Sequence, residues 1–213
     1  MKSTKYHSPA LDKGLDILEY LSIKQSPQSQ TEIAESMGRS SNEIYRMLVC
    51  LKNRGYISKS EDSGKFGLTL KLFNLGHRHS KVNSIRMAAF SPLQELSYST
   101  KCSSHLSILH KHNVLIIAQG TNSGALTISV EEGSFFPVFE TNSGKVILSN
   151  LEKNQRLSYL NEIEAFKKLK KVHKEKYLKE LQDISEAGHS ICDSQEISGV
   201  VDIIVPFRLP EIG

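Results

Sequence analysis

SQTEIAESMGRSSNEIYRMLVCLKNR, residues 29–54, has the spacing of two short helices joined by a tight turn, a helix-turn-helix. Ala34 is small, Gly38 can turn the chain, and Ile44 is branched and apolar, which is what two crossing helices require at those positions. Each helix also carries a start signal. Ser29 with Glu32, and Ser40 with Glu43, form S-x-x-E capping boxes in which hydroxyl and carboxylate satisfy orphan N–H groups. In the second helix Ile44, Met47, Leu48 and Leu51 recur at helical spacing and form one buried stripe. At about 100° per residue the opposite face holds Asn42, Arg46, Val49 and Asn53, flanked by Tyr45 and Lys52. These side chains, with Ser41 at the helix start, suit a DNA groove.

The flanking residues extend this reading. Gly55 follows as a helix terminator, Tyr56 and Ile57 open a short strand, and Asp62-Ser63-Gly64 turns the chain into the alternating Phe66 and Leu68. That hairpin is a wing, on which Lys59 and Lys65 can reach flanking phosphates, contacts that position a module without specifying sequence. Upstream, Leu11, Leu15, Leu18 and Leu21 predict a first helix over residues 10–22, broken by Ser26-Pro27-Gln28. Downstream, Thr69 can cap a helix through Leu70, Leu72, Phe73 and Leu75, with Gly76 and the polar HRHSK run as its end or a joint.

Composition sets the bounds. A chain of 213 residues with 38% apolar content accommodates two small domains. No stretch has the apolar length of a membrane span, the N-terminus MKSTKYHSPA lacks the apolar segment of a signal peptide, and three widely spaced cysteines do not form a disulfide framework. A cytoplasmic protein with reduced thiols is expected. Residues 1–81 hold 13 Lys+Arg against 8 Asp+Glu, whereas residues 82–213 hold 14 against 15. The positive excess therefore lies with the helix-turn-helix, where a polyanionic partner needs it.

Beyond residue 81, Val82, Ile85, Ala89 and Phe90 give a helix, and Ser91-Pro92 with Gln94 predicts a fresh helix start. From Cys102 the period changes. Residues 105–110 and 114–118 predict a hairpin, Leu126–Val130 a third strand, Thr141–Leu151 a helix, and the Lys-rich stretch from Lys167 a helix ending at Gly188. The apolar run Val200–Phe207 reads as a buried strand. The expected class is α+β, with a sheet and helices in the second half.

With these segments in place, the chain resembles the IclR-type (isocitrate lyase regulator) family of transcriptional regulators from about Ala10 to Phe207. ALDKGLDILEYL resembles the family's first helix, TEIAESMGRSSNEIYRMLVCLKNRGYI its helix-turn-helix, and GKFGLTLKLFNLG its wing and linker helix. Gly133-x3-Pro137 followed by Thr141-Asn142-Ser143-Gly144-Lys145 resembles the approach to the effector domain's main helix, and GHSICDSQEISGVVDIIVP its late strand. The resemblance implies a winged helix-turn-helix over residues 1–68, a linker helix over 69–81 used in dimerisation, and a GAF-like effector-binding domain over 82–213. It also places Asp193 and Asp202 at or near the effector pocket. Four departures stand out. Glu43 replaces a small hydroxyl residue, Thr69 replaces a glycine, one residue is missing between Glu196 and Gly199, and the sequence ends at Gly213 before the family's final strand, so the effector domain is expected to be incomplete.

The same residues bear on other chemistries. TNSGKV fails as a phosphate loop because residue 139 is Phe and residue 146 is Val. Instead Thr141 can cap a helix whose first N–H groups, on Asn142, Ser143 and Gly144, form an anion site near Lys145 that fits a small carboxylate. Asp202 lies within an apolar strand and so needs a partner, a ligand or solvent. Cys102-x2-His105 with His110-x-His112 is a poor zinc set, since His105 and His110 should point to opposite faces of a strand. A Cys102/His105 hydrolase has no third group, and the Lys167–Lys179 run reads as a solvated helix face. The expectation is a non-enzymatic repressor without cofactor or metal, binding duplex operator DNA as a dimer or dimer of dimers and answering to a small carboxylate. The alternatives are an effector-insensitive or truncated regulator, and an enzyme built on the second half.

Overall fold

In the N-terminal half, helix α1 (Pro9–Lys24) starts where Ser8-Pro9 predicts and buries Ile17, Leu18 and Leu21. It packs on α2 (Gln30–Ser36) and α3 (Ser41–Asn53), the two helices of the helix-turn-helix. Both capping boxes form, with Glu32 N donating to Ser29 Oγ at 3.2 Å and Glu43 N to Ser40 Oγ at 3.4 Å. The turn between them uses Gly38 at φ +60°, a left-handed conformation that costs a glycine little. Ile33, Ala34, Ile44 and Leu48 complete the core. Strands β1 (Ile57–Lys59) and β2 (Phe66–Leu68) pair antiparallel as the wing, and Ile57 and Phe66 close the core beneath. A bridge between Gln28 and Phe66 ties the wing to the segment before α2. Helix α4 (Lys71–His77) follows. Thr69 Oγ1 accepts from Lys71 N at 3.2 Å, and the Lys71 ammonium reaches the Arg54 carbonyl and lies 4.7 Å from the Tyr56 ring centroid.

This computed structural model describes residues 8–24, 26–77, 80–121, 128–195 and 197–207. The chain splits into two units, Met1–Ser80 and Lys81–Gly213.

Helix α5 (Ser80–Thr100), which lies in the second unit from Lys81 on, runs unbroken through Pro92. The fresh start expected at Ser91-Pro92 is therefore not made. An interior proline forfeits one helical hydrogen bond, but contacts on both sides of it hold the helix. Arg86 Nε pairs with Glu132 Oε2 at 3.1 Å, Gln94 Nε2 donates to the Gln119 carbonyl at 3.3 Å, and Ser97 Oγ lies 2.8 Å from Ser104 Oγ, which donates to the Leu93 carbonyl at 3.0 Å. At Gly120 the helix comes so close that a Cβ would overlap the Leu93 carbonyl oxygen.

Strands β3 (Ser104–His110), β4 (Asn113–Gly120) and β5 (Phe135–Pro137) form an antiparallel sheet in that order. A bulge opposite Leu106 and Ser107 lets Ile116, Ile117 and Ala118 all be buried, which strict alternation would forbid. The third strand is β5 rather than 126–130. Residues 128–130 are not a strand, and Leu126 and Thr127 lie outside the described residues. Helices α6 (Asn142–Ser149), α7 (Lys153–Leu160), α8 (Glu164–Lys167) and α9 (Lys171–Ala187) follow, α9 ending at Gly188 with φ +73°. Their apolar sides join the sheet in one core of Val114, Ile116, Val138, Leu148, Leu160, Phe166 and Leu181.

Strands β6 (Ser190–Asp193) and β7 (Val201–Ile204) pair as a separate hairpin. The run expected to be buried throughout is covered on one face only. Cys192, Asp202 and Ile204 are half-buried, whereas Ile191, Val201 and Ile203 are exposed, which is alternation at period two.

Candidate nucleic-acid interface and effector site

On α3, Ile44 and Leu48 are fully buried, and this fixes the rotation of the helix. Ser41, Asn42, Tyr45, Arg46, Val49, Lys52 and Asn53 consequently all lie exposed, with Tyr45 at 54% and Val49 at 37% despite their apolar bodies. Ser41 is held through its main chain, its carbonyl accepting from Gln30 Nε2 at 2.9 Å. On the wing, Lys59 is exposed with its ammonium 5.5 Å from the Phe66 ring centroid, and Lys65 pairs with Glu32 at 3.5 Å. Thirteen residues of α3 give a rod about 20 Å long, and a major groove about 12 Å wide admits such a helix.

Glu43 would oppose a phosphate if it were free. It is not free. Lys13 Nζ of α1 lies 2.7 Å from Glu43 Oε1, and Ser40 N and Oγ both donate to Oε2, at 3.4 and 3.2 Å. The Lys13 bond and then the Ser40 bonds hold the Glu43 carboxyl below its ordinary range. A carboxylate within the expected interface is thereby neutralised from behind. The capping box is legible in the sequence, but the lysine 30 residues upstream is not.

In the second unit, Asn142 joins segments 60 residues apart. Its Nδ2 donates to Asp202 Oδ2 at 2.8 Å and to the Asp193 carbonyl at 3.0 Å, and the residue is 6% exposed. Asp202 thus has the partner that a carboxylate in an apolar strand requires. Asp193 takes part through its main chain, its carbonyl accepting from Asn142. Since Cys192 pairs with Asp202, the Asp193 side chain falls on the opposite, exposed face of the hairpin.

The helix start is also narrower as an anion site than its three N–H groups implied. Gly144 N donates to Thr141 Oγ1 at 3.1 Å and Lys145 N to the Thr141 carbonyl at 3.1 Å, which leaves the N–H groups of Asn142 and Ser143. Gly144 serves packing instead, because a Cβ there would overlap the Val138 carbonyl oxygen. Lys145 is turned away to Glu180, 2.6 Å from its Oε1. A residue not assigned to this site from the sequence is His105. Desolvation holds its imidazole below the ordinary histidine value, while the Asp202 carboxylate pulls it the other way. The alternation rule sets His105 apart from His110 but gives no sign that it faces a strand almost a hundred residues later. Among the described residues no group of three His, Cys, Asp or Glu side chains could hold a metal ion, and no helix is long and apolar enough to cross a membrane.

Comparison with known proteins adds to this geometry. The model of the IclR helix-turn-helix domain matches residues 10–61, and that of the bacterial transcriptional regulator IclR C-terminal domain matches residues 77–209. The HTH-type transcriptional regulator KdgR of Escherichia coli (strain K12) is 28% identical over 178 residues, covering 83% of this chain and 68% of its own length. KdgR of Dickeya chrysanthemi is 28% identical over 180 residues, but the chain spans only 58% of that relative's length. XynR of Escherichia coli (strain K12) is 26% identical over 199 residues, covering 92% and 79%. An IclR transcriptional regulator from Alicyclobacillus acidocaldarius superposes with a TM-score of 0.69 at 25% identity, covering 94% of this chain and 82% of its own. An IclR homolog from Microbacterium hydrocarbonoxydans, complexed with 4-hydroxybenzoate, shares the fold with a TM-score of 0.76 at 19% identity, covering 94% and 83%.

Proposed function

The chain belongs to the IclR family of bacterial transcriptional regulators, and on that premise we propose that it represses transcription from an operator read by the outer face of α3. The observation that carries this reading is the exposed row Asn42, Arg46 and Asn53 behind a fully buried Ile44 and Leu48. An amide and a guanidinium are the groups that pair bidentately with adenine and guanine edges. Arg46 and Asn42 contact bases, Ser41 and Tyr45 the groove walls or phosphates, and Val49, Lys52 and Asn53 line the rest of the helix. Lys59 and Lys65 contact flanking phosphates. One helix touches few base pairs, so two copies act together as a dimer, or as a dimer of dimers, and the apolar residues Leu70, Phe73 and Leu75, all exposed, serve that association. The protein acts in the cytoplasm and catalyses no reaction.

The effector is a small hydroxy acid. Its carboxylate is received by the N–H groups of Asn142 and Ser143 at the start of α6, beside Gly144, and its hydroxyl donates to Asp202, with His105 opposite and the Asp193 main chain behind. This orientation keeps the ligand's charge away from the Asp202 carboxylate. DNase footprinting on genomic fragments tests the first half of the proposal, with a protected site expected to carry two similar half-sites. Titration with hydroxy acids and their deoxy analogues tests the second. Equal affinity for both series would remove Asp202 from the ligand's contacts.

A further inference from the structure

The outer face of α3 carries apolar surface among its polar groups. Val49 is 37% exposed and Tyr45, about one turn before it, is 54% exposed. Among the described residues, neither is one of the apolar side chains that form the core of the first unit or pack against it. At about 100° per residue, Val49 lies about 20° from Asn42 and about 60° from Arg46 around the helix. Tyr45 stands on its other side, so Val49 is inside the row that faces the groove and not at its edge. Local propensity gives no reason for it. A β-branched residue at an exposed helical position is a poorer helix former than Ala, Leu or Lys, and here no place in the core compensates.

The chemistry of the major groove supplies a reason. Guanine, adenine and cytosine present donors and acceptors there, and the 5-methyl group of thymine is the apolar feature. Two valine methyl groups pressed on any other base edge would desolvate donors or acceptors and return no hydrogen bond. Against thymine they bury one methyl group on another, which adds to affinity. The helical rise then sets where that thymine lies. Asn42, Arg46 and Val49 stand about 6 and about 4.5 Å apart along the axis. A duplex advances about 3.4 Å per base pair, so a helix lying along the groove presents Val49 about one step from the base met by Arg46 and about three from the base met by Asn42.

We infer that Val49 is a specificity-determining residue that selects a thymine in each half-site, on either strand, about one base pair beyond the contact of Arg46. The inference rests on the reading of α3 proposed above and adds a third base to it. Each half-site then holds an adenine, a guanine and a thymine within about four base pairs.

Replacing the half-site thymines one at a time with deoxyuridine tests it, because uracil pairs as thymine does and lacks only the 5-methyl group. Duplexes carrying the footprinted operator are titrated with the full chain at fixed salt and followed by fluorescence anisotropy. At one thymine, and at its equivalent in the other half-site, uracil should weaken binding about four-fold, the worth of one buried methyl-sized group. Val49→Ala should weaken binding to the thymine duplex by a similar factor and reduce the uracil effect at that position below about two-fold. It should melt at an equal or higher temperature, since alanine is the better helix former. The inference is overturned if no thymine shows the effect in the unaltered protein, or if the effect stays above about two-fold in Val49→Ala. Either result beside a large loss of affinity in Arg46→Ala removes Val49 alone and leaves α3 as the helix that reads the operator. An Arg46→Ala protein that keeps its affinity overturns both.

Discussion

Replacing Arg46 with alanine separates recognition from folding more cleanly than any other change on α3. Arg46 is exposed and lies about 200° around the helix from both Ile44 and Leu48. Its removal leaves no cavity, so the stability change should stay within about 0.5 kcal/mol. If its guanidinium pairs with a guanine, each half-site loses about 1–3 kcal/mol, and a dimer loses this twice. The sum, about 2–6 kcal/mol, corresponds to a loss of operator affinity of roughly 30-fold to 10⁴-fold. Fluorescence anisotropy on a labelled operator at fixed salt measures it, with scrambled duplex as the non-specific reference. Leu48→Ala supplies the opposite pattern. It empties a fully buried position and should cost about 2–5 kcal/mol of stability. An Arg46→Ala protein that melts normally and keeps its operator affinity within two-fold would remove α3's outer face from base recognition.

Lys59→Gln should flatten the dependence of log affinity on log salt by about 0.9 for each phosphate no longer neutralised, and Lys65→Gln by less, because Lys65 already pairs with Glu32; affinities measured across a salt series give both slopes. Gly144→Ala forces a methyl group into the Val138 carbonyl, 2.7 Å from its carbon and 2.8 Å from Thr141 Oγ1, and should cost about 1–3 kcal/mol in urea unfolding. In NMR titration the His105 imidazole should show a midpoint below 6.5, and Asp202→Asn should lower it further by removing the charge that opposes desolvation. Because the unfolded chain then holds its proton to higher pH than the folded one, His105's contribution is complete above pH 6.5 and is lost as pH falls through its folded value. A stability that rises on acidification through that window would contradict the assignment.

What is legible in the sequence is local. The two capping boxes, Gly38 and the Ile44–Leu48 stripe act within one or two helical turns, and the structure forms each of them. What stays hidden depends on distant partners. Pro92 resembles a helix start until Arg86 before it and Gln94 and Ser97 after it are seen to be held by Glu132, Gln119 and Ser104. Val200–Phe207 resembles a buried strand, since period two is masked when both faces are apolar, and only the contact from Asn142 tells the Asp202 face from the other. At Asp193 the main-chain carbonyl makes the contact with Asn142, and a backbone contact leaves no mark in residue type. Phe135–Pro137 is too short to signal a strand, and its pairing with Asn113–Leu115 decides the matter. Lys13 and His105 reach their partners only through tertiary packing, which no spacing rule encodes.

The seam along α5 behaves as a mechanical detent. Its latches are the Ser97–Ser104 hydroxyl pair, the Ser104 bond to the Leu93 carbonyl, the Gln94 amide on Gln119, and the glycine at 120 that admits the helix backbone. All are directional or steric, and greasy side chains that could glide past one another are absent from this set. Advancing the helix by a single turn, about 5.4 Å, would release every latch at once and carry Ser97 and Thr100 toward the places left by Gln94 and Ser97. Rod and ribbon must therefore travel together, and displacement along this line comes in whole steps or not at all.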